Sequence, residues 1–369
     1  MSIRVLHIEL GIHLHGGAEQ VAYLINALEH HDNISLHLVC AEDSEIRHTA
    51  FGHCETHTIK YAGESDFLCV KRLLEVVNGV NPDIIHVHSE RGSDVWGAML
   101  AKISGVPTVC TRRIDNPETH FSFYKYKQFD AVISVSEGVR KVVSLHCEGV
   151  EHQRVIYPAV DLTQYSQRKD SGWLRRTFSI PEDHIVIANF AQYISQKGQA
   201  DIILAMHDVL NKHENVTCLL FGEGNLKESY QSLIERHKLD EHVKLCGFTK
   251  EVAKILPNVD ILVHPSYSEG LGDILLQAGA NKCAVLSSPV GGIPEVIKHK
   301  ETGVMVAPGD IDGIGESLIS LIESPDERAQ YGEALYKLVT SKFGIERMSN
   351  AYVDLYKTLV FNGADNEHA

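Results

Sequence analysis

The chain predicts a doubly wound α/β protein made of two Rossmann-like domains, and three observations carry that expectation. Strand-like apolar runs alternate with helical patterns from end to end. The alternation pauses at Tyr157-Pro158-Ala159-Val160-Asp161-Leu162, near residue 160. It then starts again, and at 369 residues the chain is long enough for two domains with a core each.

Residues 3–10 read as a buried strand, and residues 18–28 as a helix with Val21, Leu24, Ile25 and Leu28 on its apolar face. Residues 35–40, 83–88, 108–111 and 131–135 read as further strands, with helical patterns at 66–78 and 137–145. After the pause, the strands are 185–190, 216–221, 243–245, 261–264 and 284–287. A helix at 225–238 gathers Leu226, Tyr230, Leu233 and Ile234 on one face. The last helix, 345–359, is amphipathic through Ile345, Met348, Tyr352, Tyr356 and Leu359. The expected division is a first domain at 1–162 and a second at 163–344. A C-terminal helix at 345–361 packs back on the first domain, and 362–369 form a disordered tail. Sheets of this kind bind ligands at the carboxyl ends of their strands, so the cleft between the two domains is the expected site.

Composition narrows the function. A net charge of -15 opposes general binding of a phosphate backbone, so nucleic acid is not an expected partner. No apolar run reaches the length of a membrane span, and the N-terminus, Met1-Ser2-Ile3-Arg4-Val5-Leu6-His7-Ile8, reads as a strand instead of a signal peptide. A cytoplasmic protein is expected. The eight cysteines include no C-x-x-C, and Cys40, Cys69, Cys110, Cys218 and Cys283 lie in or beside apolar segments, as packed reduced thiols do. His48, His53, Cys54 and His57 lack the spacing of a zinc site, and their segment reads as a solvated loop. Tyr124-Lys125-Tyr126-Lys127 is basic and aromatic, which suits a membrane surface, but a solvated helix face is the default reading.

The most informative stretch is Ser266-Tyr267-Ser268-Glu269-Gly270-Leu271-Gly272-Asp273-Ile274-Leu275-Leu276-Gln277-Ala278, after the apolar run Ile261-Leu262-Val263-His264. A glycine-rich turn here opens a helix directly after a strand. The first-turn N–H groups lack internal partners and carry partial positive charge. Gly270 and Gly272 let a ligand approach that backbone closely, and Glu269 adds a carboxylate. Donors for an anion beside a carboxylate for hydroxyls suit a sugar attached to a phosphate.

Further short motifs stand in order along the chain: Gly16-Gly17-Ala18-Glu19 after the first strand, then Pro82-Asp83-Ile84-Ile85-His86-Val87-His88, then Ala131-Val132-Ile133-Ser134-Val135-Ser136-Glu137. In the second half come Lys197-Gly198, Gly222-Glu223-Gly224, the segment 268–278, Gly291-Gly292-Ile293-Pro294-Glu295 and Thr302-Gly303. In this order and spacing the chain resembles, over nearly its whole length, the retaining glycosyltransferases of family 4, which have the GT-B fold.

The resemblance implies transfer of a sugar from a nucleotide donor to an acceptor with retention of the anomeric configuration and without a metal. Donors must then meet the charge that grows on the departing diphosphate. Lys197 would supply a cation, and the N–H groups near Gly16-Gly17 and at Gly270-Leu271-Gly272 would supply dipoles. Glu269 would hold the sugar hydroxyls, as the first carboxylate of the family's paired-glutamate motif does. Gly222 also belongs to the implied donor site, and Glu295 either joins it or only caps and packs its helix. Departures occur at three places. The second glutamate of the pair is Gln277; an arginine five residues before the lysine is Gln192; and a histidine of the first domain is replaced within Thr111-Arg112-Arg113-Ile114-Asp115. Arg113 is expected to take over a polar or anion-binding role there. Arg112 and His88 are acceptor-side candidates, although His88, like His86, can also be read as core.

The leading expectation is thus a glycosyltransferase using a UDP-sugar before a GDP-sugar, with no resident cofactor. It would act on a glycan or lipid-linked acceptor in cell-surface polysaccharide or lipopolysaccharide synthesis, with a peripheral contact at the inner face of the membrane. The alternatives are a non-catalytic nucleotide-sugar binder or regulatory protein, for which Gln192 and Gln277 speak, and an epimerase or phosphorylase of the same fold.

Overall fold

The computed structural model describes residues 2–14, 16–88, 92–117, 122–165 and 169–366, with 362–366 as backbone. The chain divides into two compact units, Met1–Ala159 with Ile345–Ala369, and Val160–Gly344.

The first unit is built on seven strands: β1 (Ile3–Glu9), β2 (Ile34–Ala41), β3 (Glu55–Ile59), β4 (Ile84–His88), β5 (Thr108–Arg112), β6 (Ala131–Ser134) and β7 (His152–Val155). Their order is β3-β2-β1-β4-β5-β6-β7, and every pairing is parallel. Side chains alternate across a strand, and both faces here are apolar. Leu6 and Ile8 of β1 enter one core with Leu73, Val77 and Trp96, whereas Ile3 and Val5 enter the other with Val21, Ile25 and Leu28. That second core also takes Met348, Tyr352, Val353, Leu355, Tyr356 and Leu359, so the last helix belongs to the first unit.

The second unit carries β8 (Ile185–Phe190), β9 (Val216–Phe221), β10 (Val243–Gly247), β11 (Ile261–His264), β12 (Ala284–Ser287) and β13 (Val304–Met305). The order is β10-β9-β8-β11-β12-β13, again all parallel. In each sheet the strand order reverses beside the first strand, between β1 and β4 and between β8 and β11. Neighbouring loops leave in opposite directions at such a point and open a crevice for a ligand.

Four expectations are corrected. The segment read as a solvated loop contains the edge strand β3, in which His57 is partly buried. Tyr124–Lys127 is a solvated face only in part: Tyr124 and Lys127 are exposed, but Tyr126 is fully buried and Lys125 pairs with Asp94 at 2.7 Å. The last helix runs Ile345–Asn366, past the expected start of a disordered tail at 362; residues 367–369 lie outside the described residues. The helix expected at 66–78 spans Cys69–Val80, because the Asp66 side chain accepts from the Ala62 and Leu68 amides and holds a turn ahead of it.

Candidate functional site

In the second unit the two loops at the β8/β11 switch point bring Lys197 and Glu269 together. The loop after β8 ends in a short 3-10 turn, Ser195–Lys197, and Gly198 then takes a left-handed conformation at φ 71° to start the helix Gln199–Lys212. A side chain at Gly198 would run into the Pro265 carbonyl. The two loops are therefore in backbone contact, and the Tyr267 amide donates to the Gln196 carbonyl at 2.8 Å. This stitching sets Lys197 Nζ 2.7 Å from Glu269 Oε2. The same oxygen lies 3.0 Å from His264 Nε2, which is also 3.1 Å from Ser266 Oγ.

Glu269 feels opposing forces. Burial would raise its pKa, but the hydrogen bond to His264 and the charge of Lys197 outweigh it and hold the carboxyl at about 2. The site thus keeps a carboxylate beside Lys197 at neutral pH.

The glycines have distinct reasons. Gly272 sits at φ 89° just before the helix Asp273–Ala280. Gly222, after β9, packs so closely on the Ala191 backbone that a Cβ would clash with its carbonyl. The Gly270 carbonyl accepts from the Gly292 amide at 3.0 Å and so ties the 291–292 turn to the Glu269 loop. Leu271 is buried. Gln192 is exposed and Gln277 half-buried on the helix Asp273–Ala280. Glu295 lies in the first turn of the short helix Ile293–Val296, its amide bonded to the Gly292 carbonyl.

In the first unit, Gly16 at φ 53° precedes the helix Gly17–Leu28. His88, at the end of β4, is fully buried, stacks with His7 and meets His86 at a tilt. Arg113 lies 3.4 Å from His88 Nδ1, and His88 Nε2 lies 3.1 Å from His7 Nδ1. A guanidinium only donates, which fixes the chain of protons. Arg113 donates to His88, His88 to His7, and the buried His7 Nε2–H has no partner among the described residues. Burial drives His7 down to about 3 and His86 and His88 well below the ordinary histidine value, so all three are neutral. His86 is core, satisfied by Tyr356 at 2.6 Å and Thr111 at 2.8 Å. His88 presents no surface of its own, and it meets half-buried Arg113. Arg112 is 7% exposed and donates to the Asn116 carbonyl at 3.4 Å.

Two family models cover most of the chain: "Glycosyltransferase Family 4" matches residues 15–164, and "Glycosyl transferases group 1" matches residues 173–338. The chain belongs to the group 1, family 4 glycosyltransferases. Among curated relatives of this glycosyltransferase, the N-acetyl-alpha-D-glucosaminyl L-malate synthase of Bacillus anthracis is 24% identical over 79% of the chain and 78% of its own length. The GPI3 subunit of Saccharomyces cerevisiae phosphatidylinositol N-acetylglucosaminyltransferase is 30% identical over 47% of the chain and 38% of its own length. Two solved structures share the fold. Anabaena HepE with UDP and glucose has a TM-score of 0.81 at 18% identity, over 96% of this chain and 100% of that one. Sucrose-phosphate synthase from Thermosynechococcus elongatus has a TM-score of 0.82 at 17% identity, over 97% and 99%. The glycosyltransferase has the GT-B fold of these neighbours.

Sequence reading missed His264, the partner of Glu269, and His7, the partner of His88. His264 ends an apolar strand and reads as core; the signal was a histidine five residues ahead of Glu269, at the end of the strand feeding the glycine turn. His7 sits in the middle of a strand that reads as wholly buried, and only the β1–β4 pairing brings it to His86. No helix among the described residues is long and apolar enough to cross a membrane.

Proposed function

We propose that this glycosyltransferase takes its sugar from a nucleotide donor, a UDP-sugar before a GDP-sugar, and transfers it with retention to a glycan or lipid-linked acceptor. The observation that carries the reading is the contact of Lys197, Glu269 and His264 at the β8/β11 switch point. Both contacts to Glu269 use Oε2, which leaves Oε1 for the hydroxyls of a donor sugar. Lys197 has two further N–H donors for the diphosphate, and its charge would stabilise the leaving group without a metal at that place. The turn at Gly270-Leu271-Gly272 adds backbone dipoles at the start of the helix Asp273–Ala280. The leaving phosphate would accept the acceptor's proton, as the family resemblance implies.

UDP bound to the HepE neighbour supports the choice of base, and two relatives named for N-acetylglucosaminyl transfer make UDP-N-acetylglucosamine the first donor to try. A lipid-linked acceptor at the cytoplasmic face of a membrane agrees with the helix Ser93–Ser104. It exposes Val95, Met99 and Ile103 along one side, near the exposed Phe67 that packs against Trp96. Cell-surface polysaccharide or lipopolysaccharide synthesis is the setting this acceptor suits.

The test is a thermal-shift panel of UDP, GDP, ADP and CMP with their sugar conjugates. A ligand that binds only the folded chain raises its melting temperature. A shift with UDP and its sugars is expected. No shift with any nucleotide would sink the catalytic reading and favour a regulatory protein of the same fold.

A further inference from the structure

Outside the donor site, three potential metal ligands converge on the edge of the first sheet. His37 lies on β2, and Glu55 and His57 lie on β3. The parallel register sets Glu55 directly beside His37, with His57 two residues further along the same face. His37 Nδ1 and His57 Nε2 are 3.3 Å apart; His37 Nδ1 is 3.5 Å from Glu55 Oε2, and His57 Nε2 is 4.0 Å from Glu55 Oε1. The three groups line an open groove of about 930 Å³ beside the helix Cys69–Val80.

We infer that His37, Glu55 and His57 form a binding site for a divalent transition-metal ion of the zinc class. Geometry is the first reason. Two imidazole nitrogens on a tetrahedral zinc, each about 2.0–2.1 Å from the ion, stand about 3.3–3.4 Å apart. The two rings already hold that separation. The second reason is convergence. The carboxylate of exposed Glu55 sits 3.5 and 4.0 Å from the two rings, and one ligand atom from each of the three residues lies within 4.8 Å of the others. A cation there would bind all three groups at once. Two of the cations lining the groove are otherwise engaged: Arg4 donates to the Val80 and Asn81 carbonyls, and Arg72 pairs with Asp66 at 2.7 Å, while Lys60 also lies there. Two imidazoles and a carboxylate suit zinc better than calcium or magnesium, and the fourth position faces the groove, where Glu75 also lies.

The other histidine group, His7, His86 and His88, does not compete. It is fully buried, and both ring nitrogens of His86 are committed to Tyr356 and Thr111. The edge site lies on the first unit, and its effect would be to clamp the edge strand β3 to β2.

The test uses the full chain stripped with a chelator and titrated with cobalt(II), then zinc. The expected result is uptake of one cobalt with the visible absorption of a four-coordinate ion, its displacement by zinc, and a zinc-dependent rise in melting temperature. His57→Gln and His37→Gln should lose both signals, and Glu55→Gln should weaken binding at least roughly tenfold. His57→Gln, on a half-exposed edge strand, serves as the folded variant, checked by circular dichroism. No cobalt uptake by the wild-type chain at micromolar protein, or full uptake by folded His57→Gln, would overturn the site.

Discussion

Glu269 keeps its charge because two neighbours defeat burial, and that balance sets its response to pH. Its ordinary value of 4.5 falls to about 2 in the folded chain. The sign follows from linkage. A depressed carboxyl contributes stability that is fully present above 4.5 and is lost as pH falls towards about 2. The contribution is of order 3 kcal/mol. Replacing Lys197 by Met removes the ammonium and lets burial act. The expected outcome is a fall in kcat/KM of about 10²- to 10³-fold, with the acid limb of its pH profile moved upward from the wild-type position. Profiles between pH 4 and 8 on the true donor and acceptor check this. Near-normal turnover by Lys197→Met would remove Lys197 from the site. At this scale, sequence found the lysine and the glutamate through the motifs around them. It missed His264, because a histidine in an apolar strand looks like any satisfied core residue until the following turn folds back on it.

Elements position these residues through backbone contacts that tolerate no side chain. Gly198 combines φ 71° with close approach to the Pro265 carbonyl. Gly198→Ala adds left-handed strain to overpacking, and each costs roughly 1–3 kcal/mol. The variant is expected to unfold at clearly lower urea than wild type and to weaken nucleotide binding, since the Lys197 turn must shift. Equal urea midpoints would show that the two loops yield more easily than their contact suggests. The strand–turn–helix units around Lys197 and Glu269 were legible in the sequence because a fully apolar strand, a glycine and a helical period follow one another. The edge strands of the first sheet were not, although the edge strand β10 of the second was. Glu55–Ile59 buries little beyond Ile59, and β7 (His152–Val155) has no buried side chain, so neither carries an apolar signature. The meeting of His37 with Glu55 and His57 depends on the register between two strands, which no local pattern encodes.

For the whole molecule, the two units differ in how the chain builds them. The second is one continuous stretch, closed by the Val160 amide on the Phe343 carbonyl at 3.0 Å. The first needs both ends of the chain. Met348, Tyr352, Val353, Leu355, Tyr356 and Leu359 are buried in its core, each worth roughly 1.5–3 kcal/mol. Together they rival the roughly 5–15 kcal/mol that holds a domain folded. Tyr352 and Tyr356 also satisfy Thr111 and His86, which would otherwise be left buried without those partners. A chain ending at Gly344 is therefore expected to keep the second unit folded while the first exchanges its amide hydrogens freely. Slow exchange across β1 and β4 in that truncation would contradict this.

The split origin of the first unit also reverses the usual order of events on the ribosome. Domains generally mature from the N-terminus as they emerge, at about 5–20 residues per second. Here the opening 159 residues cannot complete their core until the segment from Ile345 has been made. At that speed the wait is on the order of 10–40 seconds. Meanwhile the later-made second unit has everything it needs to fold. The nascent N-terminal sheet therefore spends that interval with the face destined for Tyr352 and Tyr356 uncovered, as a natural client for a chaperone.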